Sequence, residues 1–301
     1  MSKAHGSSGR PIRLADSARK RLSRHAVEVF QELDLRRDPD LTATPDALRA
    51  LLEARGLPAY EGALDLEGLA GGTPLPPDKR LGVFVALKAL EGGRPLRPEK
   101  LPRAGAEVLL PVVAKGYPSV WIGAGGTIYL VDAEGAGVAP AFDAPAQYLE
   151  ALAIELETEP WPPEPERLQW HHISVAGLVG AAIAEPFYAP PFPPASGAHG
   201  AAWLRDHLHI VEQDTPGFFV GTRVTTTDAD EAVAALEAAL ATNLEVRWSG
   251  PQRRPRAGQR PVLSFTFSMG RNASDREVAV WGEPGDYRIA SRSVGEPWPF
   301  R

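Results

Sequence analysis

The order of local signals between Thr44 and Glu157 constrains this chain more than any other feature. A helix opens at Thr44-Pro45-Asp46 with Leu48, Leu51 and Leu52 on its buried side. A hydroxyl at the N-cap accepts an otherwise unpartnered backbone N–H, and proline suits the first helical position. Gly56 ends that helix, and Leu57-Pro58-Ala59-Tyr60 and a Gly71-Gly72 pair follow. Val120-Trp121-Ile122 and Ile128-Tyr129-Leu130-Val131 are β-rich runs separated by Gly123-Ala124-Gly125-Gly126-Thr127, a spacing that predicts a hairpin with a glycine turn. Asp132-Ala133-Glu134-Gly135 closes the second strand. From Ala144 a helix returns, with Tyr148, Leu149, Leu152 and Leu156 as its apolar face. This succession predicts an α+β domain over residues 1–158.

Upstream of that passage, Ala15 to Leu35 places Leu22, Ala26, Val29, Phe30 and Leu33 at helical spacing, which predicts one amphipathic helix as an N-terminal extension behind a polar leader. Leu81 to Leu90 is short, apolar and carries Val83 and Val85, so a strand is expected ahead of a buried helix. The proline-rich stretch Glu159 to Glu166 favours extended geometry and predicts a linker between two domains. With 301 residues and 44% hydrophobic content the chain can build two cores. Residues 168–301 read as a second α+β domain. Strands are expected at His207–Val211, Phe218–Thr226, Leu244–Trp248, Val262–Phe267 and Val278–Trp281, with a helix over Ala229–Ala241 capped by Thr227 or Asp228. A second proline-rich segment, Glu185 to Gly197, carries Phe187, Tyr188 and Phe192 and is expected to pack across a surface.

Composition closes several function classes. Without cysteine there is no disulfide, no thiolate nucleophile and no Cys-ligated metal. A net charge of −6 gives the chain as a whole no footprint for nucleic acid or an anionic membrane. No run approaches a transmembrane span or a signal peptide, which predicts a cytoplasmic protein with no membrane partner. The Gly123–Gly126 run precedes a strand, whereas a phosphate loop needs a helix after its glycines, and neither a Gly-Lys-Ser/Thr nor a Gly-x-Ser-x-Gly motif occurs. The expectation is therefore a non-enzyme with no catalytic residue, no metal and no cofactor.

Two clusters are weighed against that expectation. In a strand His207 and His209 would share one face, and Glu212 or Asp214 could complete a metal site, giving a metal-dependent hydrolase as the alternative. A half-solvated strand with Leu208 and Ile210 inward produces the same spacing without metal. Arg253-Arg254-Pro255-Arg256 with Arg260 is the main basic cluster, and in a half of nearly balanced charge it reads as a solvated loop between strands. For protein binding the candidates are Tyr117, Trp121 and Tyr129 with Asp132 and Glu134, because partly exposed aromatics anchor many interfaces. Trp121, flanked by Val120 and Ile122, equally suits a core position.

Leu57-Pro58-x-Tyr60 after a helix, Gly71-Gly72, the strand Ile128-Tyr129-Leu130-Val131-Asp132 and the helix around Ala146-Gln147-Tyr148-Leu149 together resemble the SUKH superfamily over residues 44–157. That group comprises bacterial toxin-immunity proteins and a yeast cell-wall regulator. The chain departs from the pattern in lacking an acidic run after Leu57-Pro58 and in a long, proline-rich stretch from Thr73 to Pro118. The resemblance implies a SUKH-like α+β domain, its mixed or antiparallel sheet flanked by helices, that binds and blocks a cognate toxin, commonly a nuclease or deaminase. Residues 168–301 resemble no named family. A non-enzymatic regulatory scaffold would share the same binding physics with a different partner.

Overall fold

The computed structural model describes residues 12–75, 78–91, 97–114, 119–132, 137–158, 170–268 and 274–298. The chain divides into two compact units, one of Met1–Pro162 with Pro194–Gly200 and Thr215–Phe219, the other of Pro163–Pro193, Ala201–Asp214 and Val220–Arg301. Each unit mixes helices with small antiparallel sheets and has its own core. The expected linker at Glu159–Glu166 lies outside the described residues.

In the first unit a short pair, β1 (Ile12–Arg13) with β2 (Arg36–Arg37), brackets α1 (Leu14–Ala18) and α2 (Arg24–Glu32). The single amphipathic helix expected over Ala15–Leu35 is thus two helices. The break falls at Ser23, whose Oγ accepts from Ala26 N at 3.2 Å and so starts α2, while Ser23 itself donates to the buried Glu150 carboxylate. A local cap anchored to a distant carboxylate outweighs the continuous apolar spacing. Leu14, Ala18, Ala26 and Phe30 bury their side chains as a result.

Helix α3 (Pro45–Ala54) starts where the sequence predicts, with Thr44 Oγ1 accepting from Ala47 N at 3.2 Å, and Gly56 follows it at φ +65°. Next come α4 (Glu61–Ala70), β3 (Thr73–Leu75), β4 (Lys79–Leu81) and α5 (Val83–Glu91). The apolar run at Leu81–Leu90 is therefore mainly helix, not strand. Gly82, at φ +134°, ends β4, and the Glu67 carboxylate accepts from Phe84 N at 3.1 Å, supplying the new helix with an N-terminal acceptor from elsewhere in the chain. A Cβ on Gly82 would stand 3.0 Å from that carboxylate and 2.9 Å from Gly71 Cα, so only glycine fits the junction.

Glu67 is fully buried, and its other oxygen accepts from Ala43 N at 3.0 Å. Arg37 secures the same corner by donating to the carbonyls of Glu67, Gly68 and Gly71 at 2.8, 2.7 and 3.0 Å. Burial pushes the Glu67 carboxyl up, against the pull of the backbone N–H groups and Arg37.

Strands β5 (Arg103–Ala104) and β6 (Glu107–Val108) form a small hairpin. Then β7 (Leu110–Pro111), β8 (Val113–Ala114), β9 (Ser119–Ile122), β10 (Ile128–Val131) and β11 (Val138–Phe142) lead into α6 (Pro145–Thr158). The main sheet runs β11-β10-β9-β7, and β3-β4-β8 forms a smaller one. Ile122, Ile128 and Leu110 from the main sheet join Leu64, Leu66, Leu149 and Leu152 from the helices in one core.

The second unit contains β12 (His171–Val175), α7 (Gly180–Ala184), β13 (Gly200–Arg205), β14 (Leu208–Thr215), β15 (Phe219–Thr226), α8 (Ala229–Leu240), β16 (Val246–Ser249), β17 (Pro261–Phe267), β18 (Arg276–Trp281) and β19 (Arg288–Ser293). Two sheets result, ordered β13-β14-β15-β12-β16 and β17-β18-β19. Asp228 caps α8, accepting from Asp230 N and Glu231 N at 2.7 and 3.1 Å. Ala232, Val233, Leu236 and Ala239 of that helix meet Ile173, Val175, Val246 and Trp248 of the larger sheet. The three-stranded sheet contributes Phe267, Val278, Val280 and Ile289 to the same core. Residues 190–192 of the proline-rich segment line the outer edge of β13, where Phe192 N donates to Ala202 O at 2.7 Å.

Candidate functional site

The glycine turn between β9 and β10 is built by close approach. Gly123 N donates to Thr127 O at 3.0 Å, Gly126 N donates to Gly123 O at 3.1 Å, and Gly126 takes φ +85°. A Cβ on Gly123 would stand 3.0 Å from both Tyr129 Cε2 and Glu107 Cδ. The missing side chain is what lets Glu107 reach over the turn, where its carboxylate accepts from Ala124 N. On its far side the turn packs on α4, since a Cβ on Gly62 would stand 2.7 Å from Gly126 Cα.

Tyr60, just before α4, donates its hydroxyl to Val108 O at 2.8 Å, beside Glu107 in β6. Burial first, and the charge of Glu107 second, push the phenols of Tyr60 and Tyr129 above their ordinary value. Both stay protonated at neutral pH. Tyr60, Glu107 and Tyr129 are all half-buried, so each has an ordered base and a solvent-facing remainder. The arrangement is an aromatic and acidic patch, of a kind that can anchor a protein partner by ring contact and hydrogen bonding.

The expected partner-binding residues separate in this setting. Trp121 pairs across the sheet with Tyr129, yet it is only 7% exposed and belongs to the first unit's core. Tyr129 retains an accessible side. Asp132 follows β10, and its Oδ2 accepts from Gly137 N at 2.7 Å. Tyr117 and Glu134 lie outside the described residues. Tyr60 entered the sequence reading only as part of the Leu57-Pro58-x-Tyr60 motif. Glu107 carries no local signal, because its role depends on a glycine turn that follows it by more than a dozen residues.

The metal alternative fails on geometry. Strand β14 begins at Leu208, after a tight turn in which Asp206 adopts φ +39°, so His207 sits exposed in the turn and not on the strand. His209 is buried with its ring 5.2 Å from that of Trp170. Glu212 falls on the opposite face of the strand from His209. There its carboxylate accepts from Gly180 N at the start of α7, beside Thr222. Among the described residues no group of three or more His, Asp or Glu side chains is placed to hold a metal ion.

Two further histidines in β12 are also held in the fold. His171 stacks 5.9 Å from Trp248 and burial brings it down to about 4, while burial and Arg223 lower His172. Arg253, Arg254, Arg256 and Arg260 are exposed in the segment between β16 and β17, and Arg256 pairs with Asp286 at 2.7 Å. Among the described residues no helix is long and apolar enough to cross a membrane. No family model, curated protein or solved structure matches the chain.

Proposed function

We propose that this chain is a non-catalytic inhibitor, a cytoplasmic immunity protein that holds a cognate toxin in a stable complex and occludes its active site. The observation that carries the reading is the Tyr60–Glu107–Tyr129 patch, in which two protonated phenols flank a carboxylate on a backbone fixed by glycine contacts. An aromatic and acidic surface suits a basic partner such as a nuclease, with the charge steering the encounter and the rings supplying most of the affinity. The SUKH-like order of elements supports the same reading: helix α3, Leu57-Pro58-x-Tyr60, α4, Gly71-Gly72, the β9–β10 hairpin and α6 follow one another in the first unit.

The test is co-expression of the toxin encoded beside this gene, with and without this chain. Protection by the wild-type chain and co-purification of the pair are expected. Tyr129→Ala should weaken the complex by roughly 2 kcal/mol, while Arg253→Ala with Arg254→Ala should leave it unchanged. Equal killing with and without soluble, folded chain would sink the proposal.

A further inference from the structure

Glu107 is a half-buried carboxylate with one oxygen in use. Its Oε1 accepts from Ala124 N, while among the described residues Oε2 has no hydrogen bond and the side chain has no ion pair. Other sheltered carboxylates of the first unit are matched on both oxygens: Glu91 by Arg55, Glu150 by the backbone and hydroxyl of Ser23, and Glu67 by Ala43 N and Phe84 N. Arg103, opposite Val108 in the β5–β6 hairpin, does not serve Glu107 in this way. Its Nη1 donates to Ala106 O at 3.1 Å within its own turn.

Two phenol rings border this carboxylate. Tyr129 Cε2 and Glu107 Cδ both stand 3.0 Å from the position a Cβ would take on Gly123. Tyr60 reaches the residue after Glu107, and with its hydroxyl proton committed to Val108 O it offers an incoming group its ring, not a donor. An aromatic face carries partial negative charge, so rings and carboxylate attract the same sign. A metal ion would want several oxygen ligands, and among the described residues no group of three His, Asp or Glu side chains is placed to give them. An ammonium is a compact, strongly hydrated charge, whereas a planar guanidinium stacks on a ring and donates in its own plane to a carboxylate at the same time.

We propose that Tyr60, Glu107 and Tyr129 receive the guanidinium of an arginine side chain on the protein partner, its N–H groups on Glu107 Oε2 and its plane against a phenol ring. This rests on the protein-binding reading of the patch and names the group that the patch captures. The charge-assisted hydrogen bond to Oε2 fixes where the arginine enters, and ring contact adds affinity at little conformational cost, since a tyrosine has few rotatable bonds. A lysine at the same point of the partner would keep the charge and lose the stacked plane.

The probe is N-acetyl-arginine amide, titrated at constant ionic strength into the isotopically labelled full chain while NMR follows the Ala124 and Thr127 amides and the tyrosine rings. Saturable binding with a dissociation constant on the order of 10 mM is expected. N-acetyl-lysine amide should bind several-fold more weakly, and the neutral N-acetyl-citrulline amide should not saturate. Glu107→Gln keeps an acceptor for Ala124 N but puts an NH2 group in place of the free oxygen, and should weaken the arginine probe by about tenfold. Should that variant lose its native circular dichroism, Tyr129→Leu and Tyr129→Phe are the second pair: the first should weaken the probe more, because only the second keeps a ring. No saturable shift up to about 100 mM, equal responses to the arginine and citrulline probes, or undiminished binding by Glu107→Gln would each overturn the proposal. None of these readouts involves a toxin. Failure of protection with the probe selectivity intact would sink the immunity reading and leave the guanidinium site standing, and the reverse result would sink the guanidinium site alone.

Discussion

His25 Nε2 and Glu157 Oε2 stand 3.3 Å apart where α2 packs against α6. Burial, then the charge of Glu32, pushes the Glu157 carboxyl up to about 7, while burial lowers His25 against the pull of Glu150, Glu28 and Glu32. The folded chain therefore holds a proton on Glu157 that the unfolded chain releases near 4.5. That contribution to stability is present below 4.5 and is lost as pH rises through about 7. His25 acts in the opposite sense, adding stability as pH climbs towards its ordinary 6.5. Glu157→Gln should remove the upper loss, so its melting temperature should exceed that of wild type at about pH 8 and converge with it at about pH 5. Thermal melts across this range check the point, and parallel curves would contradict it.

Gly62 and Gly68 both lie in α4 and should respond oppositely to alanine. A Cβ on Gly62 would stand 2.7 Å from the Gly126 backbone, whereas the nearest atom to one on Gly68 is Pro45 Cγ at an ordinary 3.6 Å. Gly62→Ala should cost about 1–3 kcal/mol and loosen the glycine turn from the helix. Gly68→Ala should be neutral or stabilise by up to about 1 kcal/mol through helix propensity. Urea denaturation of both variants measures the contrast.

Trp121 and Tyr129 form a cross-strand pair with divided roles. Trp121→Ala should destabilise the first unit by about 3–5 kcal/mol, because the indole is a core side chain. Tyr129 is half-buried against the same core, so Tyr129→Ala should cost less stability than Trp121→Ala and leave the chain folded, with its larger loss in partner binding. Denaturation midpoints set beside complex affinity would separate the two effects.

His207→Ala should leave stability within about 0.5 kcal/mol of wild type, since the side chain is exposed in a turn. Glu212→Ala should cost about 1–3 kcal/mol by removing the acceptor from Gly180 N. Chelator treatment should not move the wild-type melting curve, and a chelator-sensitive wild-type melt would restore the metal reading.

Local chemistry made some of this fold legible. Thr44 and Asp228 are short acceptors at the starts of apolar-periodic segments, and the β9–β10 hairpin follows from two β-rich runs around a glycine turn. Where long-range partners decide, the same rules mislead. Val83 and Val85 suggest a strand, but Gly82 and the distant Glu67 carboxylate start a helix there. The spacing from Ala15 to Leu35 suggests one helix, but Ser23, held by Glu150, divides it. Helix α4 lies between two motifs that were readable, yet its own residues are buried on several sides and so lack a clean apolar stripe. The patch was half legible for the same reason: Tyr129 stands on a recognisable strand, while Glu107 joins it only after the chain has folded back.

The Glu67 carboxylate accepts from Ala43 N behind it in the chain and from Phe84 N ahead of it. One carboxylate thus fastens three segments at once: the residue before the α3 cap, the helix that carries it, and the first turn of α5. An amide in its place would offer a single oxygen, so one of the two N–H groups would lose its acceptor and one of the fastened segments would come loose from the other two.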